Sequence, residues 1–135
     1  MDYKIEDIEG IGPVYAEKLA AVDIKTTGGL LDQCCSRGGR KQMAEKTGVS
    51  EKLLLKWSNL ADMMRISGIG PQYAEMLEAA GVDTVKELAT RRADNLTVKM
   101  KETNDAKNLA NATPAESVVT GWIDAAKGTE PKMTY

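Results

Sequence analysis

The sequence predicts an all-α protein built as two similar halves, and three observations carry that expectation. The chain repeats itself in order, its apolar residues recur at helical spacing, and no alternating run long enough for a strand interrupts them. Shifting the sequence by 58 residues lays Ile8-Glu9-Gly10-Ile11-Gly12-Pro13-Val14-Tyr15-Ala16-Glu17-Lys18-Leu19 over Ile66-Ser67-Gly68-Ile69-Gly70-Pro71-Gln72-Tyr73-Ala74-Glu75-Met76-Leu77, with nine of the twelve positions identical. The match continues through Ala21/Ala79, Thr26/Thr84 and Leu30/Leu88. After a seven-residue insertion in the second copy, the stretch from Ser50 to Trp57 meets that from Ala115 to Trp122, so both tryptophans hold one repeat position.

Each copy opens on a glycine turn, and Pro13 and Pro71 stand where a helix can begin, at the position that tolerates a missing amide. Thr84-Val85-Lys86-Glu87 and Thr113-Pro114-Ala115-Glu116 read as capping boxes, the second with Pro at the first helical position. Leu53, Leu54, Trp57, Leu60, Ala61 and Met64 then form one apolar helical face, repeated by Val118, Val119, Trp122, Ala125 and Ala126. Gly81 and Gly128 read as helix stops. The expected organisation is eight to ten short helices, a first repeat over residues 1–64, a second over 65–128, and a tail over 129–135. That tail is expected to fray, with a short docking segment as the alternative.

Composition narrows the chemistry. The 135 residues include 18 Lys and Arg, 20 Asp and Glu, two Cys and no His or Phe, with 42% apolar residues. A chain without His lacks the commonest general base, the Ser-His and Cys-His pairs, and most zinc sites. There is no nucleotide P-loop, so no catalytic residue, metal or cofactor is expected, and carboxylate-only chemistry is the enzymatic route left open. Adjacent Cys34 and Cys35 fit no C-x-x-C site and read as reduced thiols. The N-terminal Met1-Asp2-Tyr3-Lys4 carries no basic, apolar leader, and aliphatic runs span about four positions, so no membrane segment is expected and a cytoplasmic setting is.

In the twice-occurring Gly-Ile-Gly-Pro-x-Tyr-Ala-Glu-x-Leu, the glycines permit a sharp turn with φ > 0 and the isoleucine between them plugs the core. This element resembles the helix-hairpin-helix motif. The longer stretch from Ile66 to Ala89 is similar to segments of the N-terminal domain of RadA-type recombinases and of the C-terminal domain of the bacterial RNA polymerase α subunit. The whole chain resembles a family of small prokaryotic proteins built from tandem copies of this unit, which implies two helix-hairpin-helix (SAM-like) repeats packed together. In DNA-binding members of the class, the resemblance implies that turn amides and the start of the second helix hold phosphates without reading bases. Carried over, that points to Gly68, Ile69 and Gly70, and secondarily to Gly10, Ile11 and Gly12. Pro13 and Pro71 offer no amide, and the basic residue often found next is Val14 in one copy and Gln72 in the other.

Charge separates the copies. Residues 1–35 hold three Lys against seven acids, whereas residues 36–65 hold seven Lys and Arg against three acids. In the second turn Ser67 replaces Glu9, and Arg65 directly precedes it. The expected nucleic-acid site is therefore Arg65, Gly68, Ile69, Gly70 and Gln72, joined by Lys56, Arg37, Arg40 and Lys41. Arg91, Arg92, Lys99 and Lys101 form another basic candidate. The run from Arg37 to Lys41 reads as an exposed turn, with a phosphate- or RNA-gripping loop as the alternative. Trp57 and Trp122 are expected in the core, and Tyr15 and Tyr73 between the halves. The methionines are expected to fill gaps.

The functional expectation is a non-catalytic, sequence-non-specific DNA-backbone binder acting mainly through the second hairpin. A sequence pI near 5.3 makes that binding weak. The alternative is a protein-interaction adaptor, using the acidic first hairpin or the groove between the halves, or with hairpins that are purely architectural.

Overall fold

A computed structural model describes residues 3–135; Met1 and Asp2, which belong to the N-terminal stretch and to the acidic count above, lie outside the described residues. A short 3-10 helix, Ile5–Asp7, leads into α1 (Pro13–Ala20), α2 (Thr27–Cys34), α3 (Arg37–Thr47) and α4 (Glu51–Met63). The second half runs through α5 (Pro71–Ala79), α6 (Val85–Leu88), α7 (Ala93–Lys107) and α8 (Glu116–Lys127). Extended pairing among the described residues is limited to one antiparallel bridge, Lys4 with Thr26.

Local chemistry explains most of these boundaries. Thr26, Ser36, Ser50 and Thr84 each turn a side-chain oxygen onto an amide in the first turn of α2, α3, α4 and α6, at 3.0 to 3.2 Å. Pro13 and Pro71 occupy the first turns of α1 and α5. Gly48 closes α3 with φ +76°, and Gly81 follows α5 with φ +96°. Two expectations fail here. Thr113 caps nothing: α8 starts at Glu116 behind Ala115, past the Pro that was to open it. The run from Arg37 to Lys41 is no exposed turn but the start of α3, because Ser36 caps it.

Gly39 explains that correction. A Cβ there would collide with the Gln33 carbonyl at the end of α2, so the glycine permits a close crossing of α2 and α3 and breaks no helix.

Packing follows the sequence repeat. Helix α4 lies on α2 and α3, as α8 lies on α6 and α7, and the halves meet where α4 contacts α5. Leu19, Leu30, Leu54 and Ile5 fill the first half and Leu77, Val85, Leu88 and Val119 the second, all buried. Burial of each such side chain contributes about 1.5–3 kcal/mol. Met43, Met63, Met64, Met76 and Met100 are buried among them, fitting irregular gaps in a core without phenylalanine.

Trp57 and Trp122 are 1% and 4% exposed. Tyr15 packs edge-on against Trp57 with ring centroids 5.1 Å apart, and Tyr73 against Trp122 at 5.3 Å. Each tyrosine thus packs on the tryptophan of its own half, and Tyr73 also stands with Tyr3 of the first half around one cavity.

The tail does not fray. Its residues return from α8 to the first half, where Thr134 N donates to the Cys35 carbonyl at 2.8 Å and Lys132 pairs with Asp32 at 2.6 Å. Met133 is buried, and the Tyr135 hydroxyl donates to Asn59 Oδ1 at 3.2 Å. No helix among the described residues is long and apolar enough to cross a membrane.

Candidate nucleic-acid interface

The second glycine turn grows out of the end of α4. Ile66 N donates to Met63 O at 3.2 Å and Ile69 N to Ile66 O at 3.0 Å, folding the chain back on itself. Gly68 takes φ +93°, and a Cβ there would lie 3.1 Å from Trp122 Nε1. A glycine is thus demanded twice, by the left-handed backbone and by the indole beneath it. Ile69 is fully buried, as its role of plug requires.

Gly70 caps α5 in an extended conformation and offers no side chain. Helical hydrogen bonding begins with Ala74 N donating to Gly70 O at 2.9 Å. Pro71 has no amide, which leaves those of Gln72 and Tyr73 for an outside acceptor at the positive end of the helix. In front of them is a cavity of about 400 Å³ lined by Tyr3, Gly68, Gly70, Pro71, Gln72 and Tyr73.

Tyr3 is the contribution that sequence reasoning missed. Its amide donates to Thr27 Oγ1 at 3.1 Å and its carbonyl accepts from Thr27 N at 3.0 Å, which fixes it to the start of α2. From there its hydroxyl reaches to 3.6 Å from the place a Cβ on Gly70 would take. A single tyrosine at position 3, outside the repeated segment, gives no pattern that announces such a crossing.

The expected basic partners do not gather there; no Lys or Arg lines the cavity. Arg65 donates through Nε and Nη2 to Asp62 Oδ1, at 3.0 and 2.8 Å, and through Nη2 to the Glu130 carbonyl at 3.0 Å. Its charge is therefore met by a buried carboxylate. Lys56 shares a different cavity with Lys52, Asn59, Glu78 and Asp83. Arg37 and Arg40 line a third with Glu51, Lys52, Leu55 and Tyr135. Arg40 is only 4% exposed, and Lys41 stands in solvent on the first turns of α3. Ile69 offers neither side chain nor amide to a ligand, the first being buried and the second bonded to Ile66.

At the first turn Gly10 has φ +95° and faces Trp57 Nε1, as Gly68 faces Trp122. Ile11 is buried with its amide on Ile8 O, and Gly12 has open space where a Cβ would go. Val14 beside it is 66% exposed. Glu9 belongs to this turn and lies near enough to Glu75 on α5 to matter. Burial first, and then the Glu9 charge, push the Glu75 carboxyl above its ordinary range.

Of the other basic candidates, Arg91, Arg92 and Lys99 come together around a cavity of about 540 Å³ at the start of α7, and Lys101 is not among its lining residues. Arg91 is tied to Glu87 at 3.0 Å and Arg92 to Asp94 at 2.9 Å, so two of the three already have a carboxylate partner. Among the described residues no three His, Cys, Asp or Glu side chains are grouped to hold a metal ion.

Residues 9–129 match the family described as Domain of unknown function (DUF4332), and the chain is a member of it. No curated protein and no solved structure matches the chain.

Proposed function

We propose that this protein is a non-catalytic module that binds the DNA backbone without reading sequence, through the second of two helix-hairpin-helix repeats. The observation that carries this reading is the bare start of α5. Helices α2, α3, α4 and α6 each have a side-chain cap, whereas α1, α5, α7 and α8 do not; α5 begins at a glycine, as α1 does, and its two first-turn amides stand beside an open cavity with no acidic residue in its lining. Anions bind such helix starts through the amides and the helix dipole together. With Arg65 spent on Asp62, the contact is made by amides more than by cations. Affinity is then modest and its salt dependence shallow, because few counterions are released.

Position 72 tests the reading, since Gln72 is exposed and sits at the mouth of the cavity. In a fluorescence-anisotropy titration of a labelled duplex, Gln72→Lys should tighten binding and steepen the dependence of log Kobs on log salt by about 1. Gln72→Glu should weaken binding measurably without abolishing it. Indifference of binding to both substitutions would overturn the reading.

A second reading, a protein-interaction adaptor, is favoured by the first turn. There Pro13 and Val14 stand exposed in an acid-rich stretch, an apolar tip suited to a basic protein surface. A partner that survives nuclease treatment in a pull-down and is lost with Val14→Glu would support it; a partner removed by nuclease would contradict it.

A further inference from the structure

Arg40 is a buried guanidinium whose recorded hydrogen bonds all go to backbone carbonyls. Its Nη1 donates to the Cys34 and Cys35 carbonyls at 3.0 and 3.2 Å, closing the C-terminal end of α2. Its Nη2 donates to the Thr134 carbonyl at 2.8 Å, and the Tyr135 ring lies 5.8 Å from the guanidinium carbon. Two of the three hydrogen bonds thus belong to the fold, and the third, with the aromatic contact, depends on the tail. Arg65, the other arginine expected at a phosphate, is likewise held by a tail carbonyl, that of Glu130.

Beyond α8 the tail carries no regular secondary structure, and besides its contacts with Arg40 and Arg65 it is held by the Thr134 amide on Cys35 O, the exposed Lys132–Asp32 pair, buried Met133 and the Tyr135 hydroxyl on Asn59. An exposed ion pair adds little to stability. Arg37, Lys52 and Lys41 stand around Arg40 or next to it, offset by Glu51 and by Asp32 once Lys132 leaves.

We propose that residues 129–135 form an autoinhibitory strap. The Thr134 carbonyl and the Tyr135 ring occupy the part of Arg40 that, with the tail displaced, takes a phosphate of a nucleic-acid backbone. Tail and phosphate compete for one guanidinium, because both offer oxygen acceptors to the same donors and the phosphate adds a charge. This rests on the DNA-backbone reading and adds to it a second contact, away from α5 and closed in the free protein.

The test compares the full chain with a chain lacking residues 129–135 and with Thr134→Pro, which removes the tail amide without changing charge. The probe is a labelled DNA duplex followed by anisotropy over a range of salt. Both variants should bind about three- to tenfold tighter, with a salt slope steeper by about 0.9 for each phosphate newly engaged. Adding a peptide with the sequence of residues 129–135 should return the truncated chain to full-chain affinity. In a Gln72→Glu background the gain should persist, since it arises at another site.

Unchanged affinity in both variants, while the full chain binds, would overturn the strap and leave the DNA reading standing. Loss of the gain in the Gln72→Glu background would also overturn it. No binding by any chain would remove strap and DNA reading together. Thermal melts show whether the truncated chain is folded, and if it is not, Thr134→Pro decides.

Discussion

Asp62, near the end of α4, accepts the backbone amide of Val85 at the start of α6 through Oδ2 at 2.8 Å, while its Oδ1 holds Arg65. A first-half carboxylate therefore caps a second-half helix. At four residues α6 is far too short to persist alone, so this cap and its packing on α8 define it.

Replacing Asp62 by Ala should cost about 3 kcal/mol in urea unfolding, because a buried amide and an arginine both lose their partner. Asp62→Asn keeps an oxygen for Val85 and should cost about half as much. Equal costs would mean that the charge on Arg65, and not the acceptor for α6, is what matters.

Gly68→Ala and Gly10→Ala should each destabilise by about 1–2 kcal/mol, the usual cost of a left-handed backbone for a residue with a Cβ. Gly68 should be the more sensitive, since its Cβ would stand 3.1 Å from an indole nitrogen, against 3.5 Å at Gly10. Gly12→Ala, with φ −85° and open space, should stay within about 0.5 kcal/mol. Chemical denaturation of the three variants checks the order, and an equal loss at Gly12 would contradict it.

Cys34 is buried, and burial pushes its thiol from 9.0 up to about 11, with its hydrogen bond to Ser58 opposing the shift. Thiol alkylation of the native protein near pH 8 should therefore modify Cys35 first and reach Cys34 only on unfolding. The raised value also links to stability. The neutral thiol is the folded form, so its contribution is complete below pH 9 and fades as pH rises through about 11. Melts of wild type and Cys34→Ala across that range should converge as pH rises. Parallel curves would show that the thiol does not titrate with folding.

Much of the architecture was legible because it is written in local chemistry. The cap at Thr84, the prolines opening α1 and α5, and the left-handed Gly10 and Gly68 each follow from the local preference of one residue. What escaped depends on distant segments meeting. Gly38-Gly39 resembled a loop because glycine usually breaks a helix, yet Gly39 exists for the approach of the α2 carbonyl end. Arg65 and Arg40 counted as free positive charge, although Asp62 and the tail carbonyls engage them. Asp62 did leave a sign: it is a carboxylate set between Leu60-Ala61 and Met63-Met64 of the apolar stretch. The crossing of Tyr3 to the second turn left none.

If the start of α5 holds a phosphate, titrating the isotopically labelled protein with a DNA duplex should give saturable amide chemical-shift changes concentrated at Gly68, Gly70, Gln72 and Tyr73, with Gly10 and Gly12 unmoved. Shifts confined to the first turn, or none across the titration, would contradict it.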